Sequence, residues 1–332
     1  MLEDPGLATE LAAELRNGYG ADATAVAFIP GYDMRAASYD VAAADGRWFA
    51  KVHFGAVAAV PLEVPRALLD AGVANVLAPI RAQTGSLQHP IGDGRTLVVY
   101  PFAAGRNAMD AGMAMDQWRA FGSTLRAVHD SGLEARFVDR LPSESFALPS
   151  AAAARAALGQ RPSVQSPAAE RLASVLQGQA QRIGAMLERA EGLGATLARR
   201  SFEHVLCHAD IHAANILVAD DGRILLVDWD GPMLAPRERD LLFVIGSHIA
   251  RAVAPHEESW FFEGYGEVAV NLEALVYFRY ERIIEDIGEF ARSVFHDPAI
   301  PEASREPQVA LVERFFEPGG VVENVEDVRH RP

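Results

Sequence analysis

A chain of 332 residues is too long for one small core and suits one large two-lobed unit or two domains. Half of its residues are apolar and 23% are charged, dispersed so that no stretch approaches the roughly 18 apolar residues of a membrane span. The formal charge of −15 argues against a nucleic-acid partner, and the single cysteine, Cys207, excludes an intramolecular disulfide and a cysteine-based zinc cluster. The acidity reads either as a solubilising surface or as an acidic pocket for a cationic small molecule.

In chain order, "MLEDPGLATELAAEL" carries acids where a signal peptide carries basic residues, so an amphipathic helix and a cytoplasmic location are expected. Residues 24–54 alternate like three strands in hairpin order: "TAVAFIP", "AASYDVAA" and "RWFAKVHF", separated by "GYDMR" and "ADG". "PLEVPRALLDAGV" (61–73) predicts a helix opened by proline and closed by Gly72, with Pro65 able to delay its start until after Val64. "TLVVYPFAAG" (96–105) starts as a buried strand and breaks at Pro101 and Gly105. Trp118, Phe121, Leu125 and Val128 then recur at helical spacing before Gly132, and a further helix is expected over about 168–199.

Two short strands, "ANILVA" and "ILLVDW", are joined by "DDG", which predicts a tight hairpin. "HADIHAAN" (208–215) stands at its entrance and "DWD" (228–230) at its exit, so Asp210, Asn215 and Asp228 converge. Asn215 and Asp228 supply the hard oxygens that magnesium prefers, leaving Asp210 to orient or deprotonate a hydroxyl. His208, Asp210 and His212 also have a spacing that zinc could use, although a hydrolase site needs further ligands. His208 by itself is expected to brace the loop.

The motif H-x-D-x-H-x-x-N followed by V-D-W-D resembles the catalytic loop and metal-binding aspartate of the protein-kinase-like superfamily, and most of all the aminoglycoside phosphotransferases. Ala209 replaces the Arg of H-R-D, which implies that no phosphorylated activation loop is gripped. "DWDGPMLAPRERDLLF" with "FFEGYG" and "YFRYERIIEDIGEF" looks most like the spectinomycin-phosphorylating branch, and the resemblance covers essentially the whole chain. It implies an α+β, two-lobed kinase-like fold: a small N-terminal lobe with an antiparallel sheet and one helix (1–99), a linker (100–106) and a larger, mainly helical lobe (107–332). It further implies ATP as donor, Mg2+, and the 9-hydroxyl of spectinomycin as acceptor, in a cytoplasmic monomer or weak dimer.

A kinase needs a phosphate clamp, and Lys51, alone in an apolar strand, suits it because an unpaired ammonium is costly to bury. Glu63, the one other acid between Lys51 and Asp70, is the expected partner. No full glycine loop is present: "PGYDMRAAS" has only Gly31, so amides near Asp33 to Ala36, and Ser38, are expected to face the phosphates. The backbone from Tyr100 to Phe102 is expected to bind adenine, and Asp240 to cap or brace its helix. Glu281, Glu285 and Glu289 share one helix face beside Tyr277, Tyr280 and Ile284, so Glu281, Glu285 and Tyr280 are the expected acceptor contacts. Arg279 and Arg282 could instead balance a solvated acidic face. A kinase of another hydroxylated amine, such as a choline-like compound, and a non-catalytic nucleotide-binding protein are the competing readings.

Overall fold

The computed structural model describes residues 5–30, 35–44 and 46–327. The N-terminal part is built on an antiparallel sheet of β1 (Ala23–Ile29), β2 (Ala36–Ala43), β3 (Gly46–His53), β4 (His89–Ile91) and β5 (Arg95–Pro101), in the order β1-β2-β3-β5-β4. Strand alternation divides its residues between two faces. Tyr39, Val41, Ala50, Val52, Leu97 and Val99 pack against Leu7, Leu11 and Leu15, which lie four apart on the helix Pro5–Tyr19. The other face carries Ser38 opposite Lys51, Lys51 opposite Val98, and Phe49 opposite Tyr100. Leu62 of the helix Ala59–Asp70 packs there on Val98.

That helix contains Pro65 rather than starting after Val64. Burial of Leu62, Val64, Pro65, Ala67 and Leu68 along one side stabilises it against the missing backbone donor. The helix Pro5–Tyr19, expected from the opening residues, packs beside this sheet, so that part carries two helices where the kinase-like resemblance implied one.

Beyond Pro101 the chain is mainly helical around one large apolar core. Met115–His129 packs so closely against Pro255–Tyr265 that Gly122 faces the Phe261 carbonyl and Gly264 the Arg119 carbonyl with no room for a side chain. The helix expected over 168–199 is two, Pro167–Gly178 and Ala180–Leu197, broken at Gln179. A long helix, Leu272–His296, crosses the core. Short strands carry the loops: β6 (Gly105–Asn107) pairs with β8 (Ile216–Ala219), β8 with β9 (Ile224–Leu226), and β7 (Val205–Cys207) with β10 (Met233–Ala235). The architecture is thus a small sheet lobe and a helical lobe. No helix among the described residues is long and apolar enough to cross a membrane.

Candidate active site

The loop after β7 is shaped by a buried carboxylate. Ala209 has φ +70°, a conformation uncommon for a residue with a Cβ. Asp240, fully buried, accepts the backbone N–H of His208 at 2.9 Å and of Ala209 at 2.7 Å, and bonds His129 Nε2 at 3.0 Å. Burial pushes the Asp240 carboxyl up, but the bond to His129 and the loop amides outweigh it and hold it below the ordinary range. Asp240 therefore braces this loop rather than its own helix, Glu238–Leu241. His208 braces it from the other side: Nε2 lies 2.9 Å from the Val227 carbonyl and the ring packs tilted against Trp229 at 4.4 Å between centroids.

The hairpin brings its two ends together as its turn residues require. Asn215 Nδ2 donates to the Asp210 carbonyl at 2.8 Å, and Val227 N–H donates to the Asn215 carbonyl at 3.0 Å. The Asn215 amide is thereby oriented, and its Oδ1 bonds no described residue. Asp228, at φ +63°, opens onto the cleft between the lobes. Desolvation by the cleft walls raises its carboxyl, Asp230 and Asp210 add to the rise, and Lys51 and His208 oppose it. Two oxygen donors beside converging carboxylates fit a hard divalent cation such as Mg2+. The zinc alternative does not assemble. His208 Nε2 is spent on Val227, His212 Nδ1 accepts Ala214 N–H at 3.2 Å, and the one clustered set of ligating atoms among the described residues is the buried His129, Cys207 and Asp240.

A cleft of about 510 Å³ lies between sheet and hairpin, with Ser38, Lys51, Tyr100, Phe102, Asp228 and Asp230 on its walls. Of the segment expected to face the phosphates, Asp33 and Met34 lie outside the described residues, as does Gly31. Glu63 does not serve Lys51: both of its oxygens accept from Arg140, at 2.6 and 2.9 Å, and Arg140, Arg136 and Arg81 hold its carboxyl below the ordinary range. The Phe102 N–H is not free for adenine, because it donates to the Arg47 carbonyl at 3.1 Å while the Arg47 guanidinium stacks on the Phe102 ring at 3.8 Å.

The acidic helix is not one uniform face. Steps of four residues advance about 40° around a helix, so Glu281 and Glu289 diverge. Glu281 is buried and ion-paired with Arg239, Glu285 is half-buried, and Glu289 is 64% exposed. Tyr280 turns into the core, where its hydroxyl donates to Glu326 at 2.9 Å, so it is not an acceptor contact. Glu281 is likewise committed, to Arg239. Arg279 is buried and donates to the carbonyls of Ile245, Val325 and Asp327, so it balances no surface charge. Arg282, which sequence reasoning counted only as a balancing charge, donates Nη1 to Asp210 Oδ1 at 2.8 Å, and Asp286, not singled out, lies 3.3 Å from its Nη2. The i to i+4 spacing of Arg282 and Asp286 was the available signal.

A family model described as the phosphotransferase enzyme family matches residues 19–275. Protein StrN of Streptomyces griseus is 28% identical over 184 residues, covering 54% of this chain and 57% of that protein. The chain thus spans little more than half the length of this curated relative. Among solved structures, a spectinomycin phosphotransferase in complex with ADP and spectinomycin has a TM-score of 0.87 at 29% identity, over 97% of this chain and 98% of that one. An amicoumacin kinase in complex with AMP-PNP and Ca2+ has a TM-score of 0.64 at 17% identity, over 98% of this chain and 94% of that one, and shares the fold alone.

Proposed function

The chain belongs to the phosphotransferase enzyme family, and from that premise we propose that it is an ATP- and magnesium-dependent kinase that phosphorylates the 9-hydroxyl of spectinomycin. The observation that carries the reading is the joining of Asp210 to the Asp228 segment through Asn215 at a cleft lined by Lys51, in a chain alike over 97% of its length to a spectinomycin phosphotransferase. We assign residues 1–99 and 107–332 to the two lobes and 100–106 to their linker, and take the enzyme to act in the cytoplasm as a monomer or weak dimer.

Asp210 accepts the hydrogen of the acceptor hydroxyl on Oδ2. The proton moves there as the acceptor oxygen bonds phosphorus, while the bond from phosphorus to the bridging oxygen of the nucleotide breaks and that oxygen keeps the electron pair. Lys51 clamps the phosphates from the sheet, with Ser38 beside it. Asn215 and Asp228 would hold Mg2+, which supplies charge neutralisation for the phosphates. Tyr100 and Phe102 wall the base site, and the Ala103–Gly105 segment lines the same cleft where its backbone can read adenine. Glu285 is the remaining acidic wall for a cationic acceptor. So few groups suffice because a loose transition state demands mainly positioning and charge neutralisation.

The test is phosphate transfer from radiolabelled ATP to spectinomycin and to a panel of other hydroxylated amines. Asp210→Asn is expected to lower turnover by about 10²-fold or more while calorimetric nucleotide affinity stays unchanged. Turnover within tenfold of wild type removes the role of Asp210, and transfer only to another acceptor overturns the substrate.

A further inference from the structure

Arg282 lies on the helix Leu272–His296 with its guanidinium directed at the catalytic loop, 72 residues earlier in the chain. One terminal nitrogen holds Asp210 Oδ1 at 2.8 Å and the other lies 3.3 Å from Asp286 Oδ1. Its Nε is buried and bonds no group, so these two carboxylates are what hold the fork. Arg282 and Asp286 are 21% and 14% exposed and Asp210 is 36% exposed, so the anchoring contact is shielded and the contact to Asp210 stands at its open end. An arginine that only balanced a solvated face would be exposed and loosely paired, as Arg292 is beside Glu289 at 68% and 64% exposure.

The consequence for Asp210 is geometric. Its Oδ1 is taken by Arg282, with His212 Nε2 at 3.6 Å, whereas Oδ2 bonds no described residue. A charge-assisted bond to one oxygen restrains rotation about χ2, so the other oxygen favours one direction. We propose that Arg282 is a positioning residue for the transfer step, fixing the Asp210 carboxylate through Oδ1 so that Oδ2 meets the acceptor hydroxyl, with Asp286 as the anchor that holds Arg282 in place. This rests on the reading of Asp210 as the group that orients the acceptor. A planar guanidinium reaches both carboxylates at once, which a lysine ammonium on this helix does poorly.

The experiment compares Arg282→Gln, Arg282→Lys and Asp286→Asn with wild type by steady-state kinetics in both substrates. Arg282→Gln should lower kcat by roughly 30- to 100-fold, the size expected when a reacting group loses its alignment by about 1 Å. The nucleotide KM should stay within about threefold, since no phosphate contact is lost. Arg282→Lys should recover part of that kcat, and Asp286→Asn should lose about three- to tenfold. A merely structural arginine would instead reduce nucleotide affinity and turnover together. Unchanged kcat in Arg282→Gln, or in both other variants should that protein not fold, overturns the proposal. A gain in acceptor kcat/KM does so too, because Arg282 would then be competing with the acceptor. Should wild type transfer no phosphate to spectinomycin, the substrate reading fails by itself. The same variants are then read in acceptor-free ATP hydrolysis, with water in place of the alcohol and the same ranking expected.

Discussion

Glu281 carries the clearest consequence of burial at a single residue. Burial pushes its carboxyl up to about 7, Glu144 and Glu285 add to the rise, and Arg239 opposes it without prevailing. A carboxyl raised in the folded state binds its proton more tightly there than in the unfolded chain. Its stabilising contribution is full below the ordinary value of 4.5 and is lost as pH rises through about 7. The unfolding free energy of wild type relative to Glu281→Gln should therefore fall by about 3 kcal/mol between about pH 4 and pH 8. Denaturant titrations of both proteins at several pH values check this, and a difference that does not vary with pH removes it. The ion pair to Arg239 forms as Glu281 ionises, so its attraction is already contained in the position of that carboxyl and leaves the sign of the slope unchanged. Glu63 illustrates the opposite failure of inference at this scale. Proximity in sequence favoured Lys51 as its partner, yet Arg140, 77 residues later, holds both of its oxygens.

Elements were legible where their signals were local. The alternating segments at 24–54 become β1, β2 and β3, and "DDG" closes the β8–β9 hairpin, with Gly222 at φ +87° in its turn. Helix boundaries shifted where packing overrode propensity, as at Pro65 inside Ala59–Asp70. The contact between Met115–His129 and Pro255–Tyr265 was not legible, because a glycine spacing does not say which helix will lie against it. A Cβ on Gly122 would stand 2.1 Å from the Phe261 carbonyl oxygen, so Gly122→Ala must push the two helices apart. It should destabilise by about 1–3 kcal/mol, the usual cost of overpacking. Gly192→Ala, in the helix Ala180–Leu197 with nothing within 4 Å of its Cβ, should stabilise by about 0.5–1 kcal/mol. Equal effects of the two substitutions in thermal unfolding would contradict the close helix approach.

Charge acts on the scale of the whole molecule. A formal −15 would draw the proposed cationic acceptor from a distance, over and above the half-buried Glu285. Raising salt from about 0.1 M to about 1 M shortens the screening length from about 10 Å to about 3 Å. On the proposed reading of spectinomycin as acceptor, its KM should rise severalfold with kcat little changed, whereas a flat KM would confine the attraction to buried contacts. From sequence alone came the kinase-like class, the hairpin and the convergence of Asp210, Asn215 and Asp228, because those residues lie within one loop and one short hairpin whose turn chemistry closes them. Only the packing of distant segments decided that Asp240 shapes the loop, that Arg140 takes Glu63, that Tyr280 is bound to Glu326 and Glu281 to Arg239, and that Arg282 reaches Asp210. Helical periodicity states which side chains share a face. It cannot state which distant segment packs on that face, and desolvation and ion pairing are set by that neighbour.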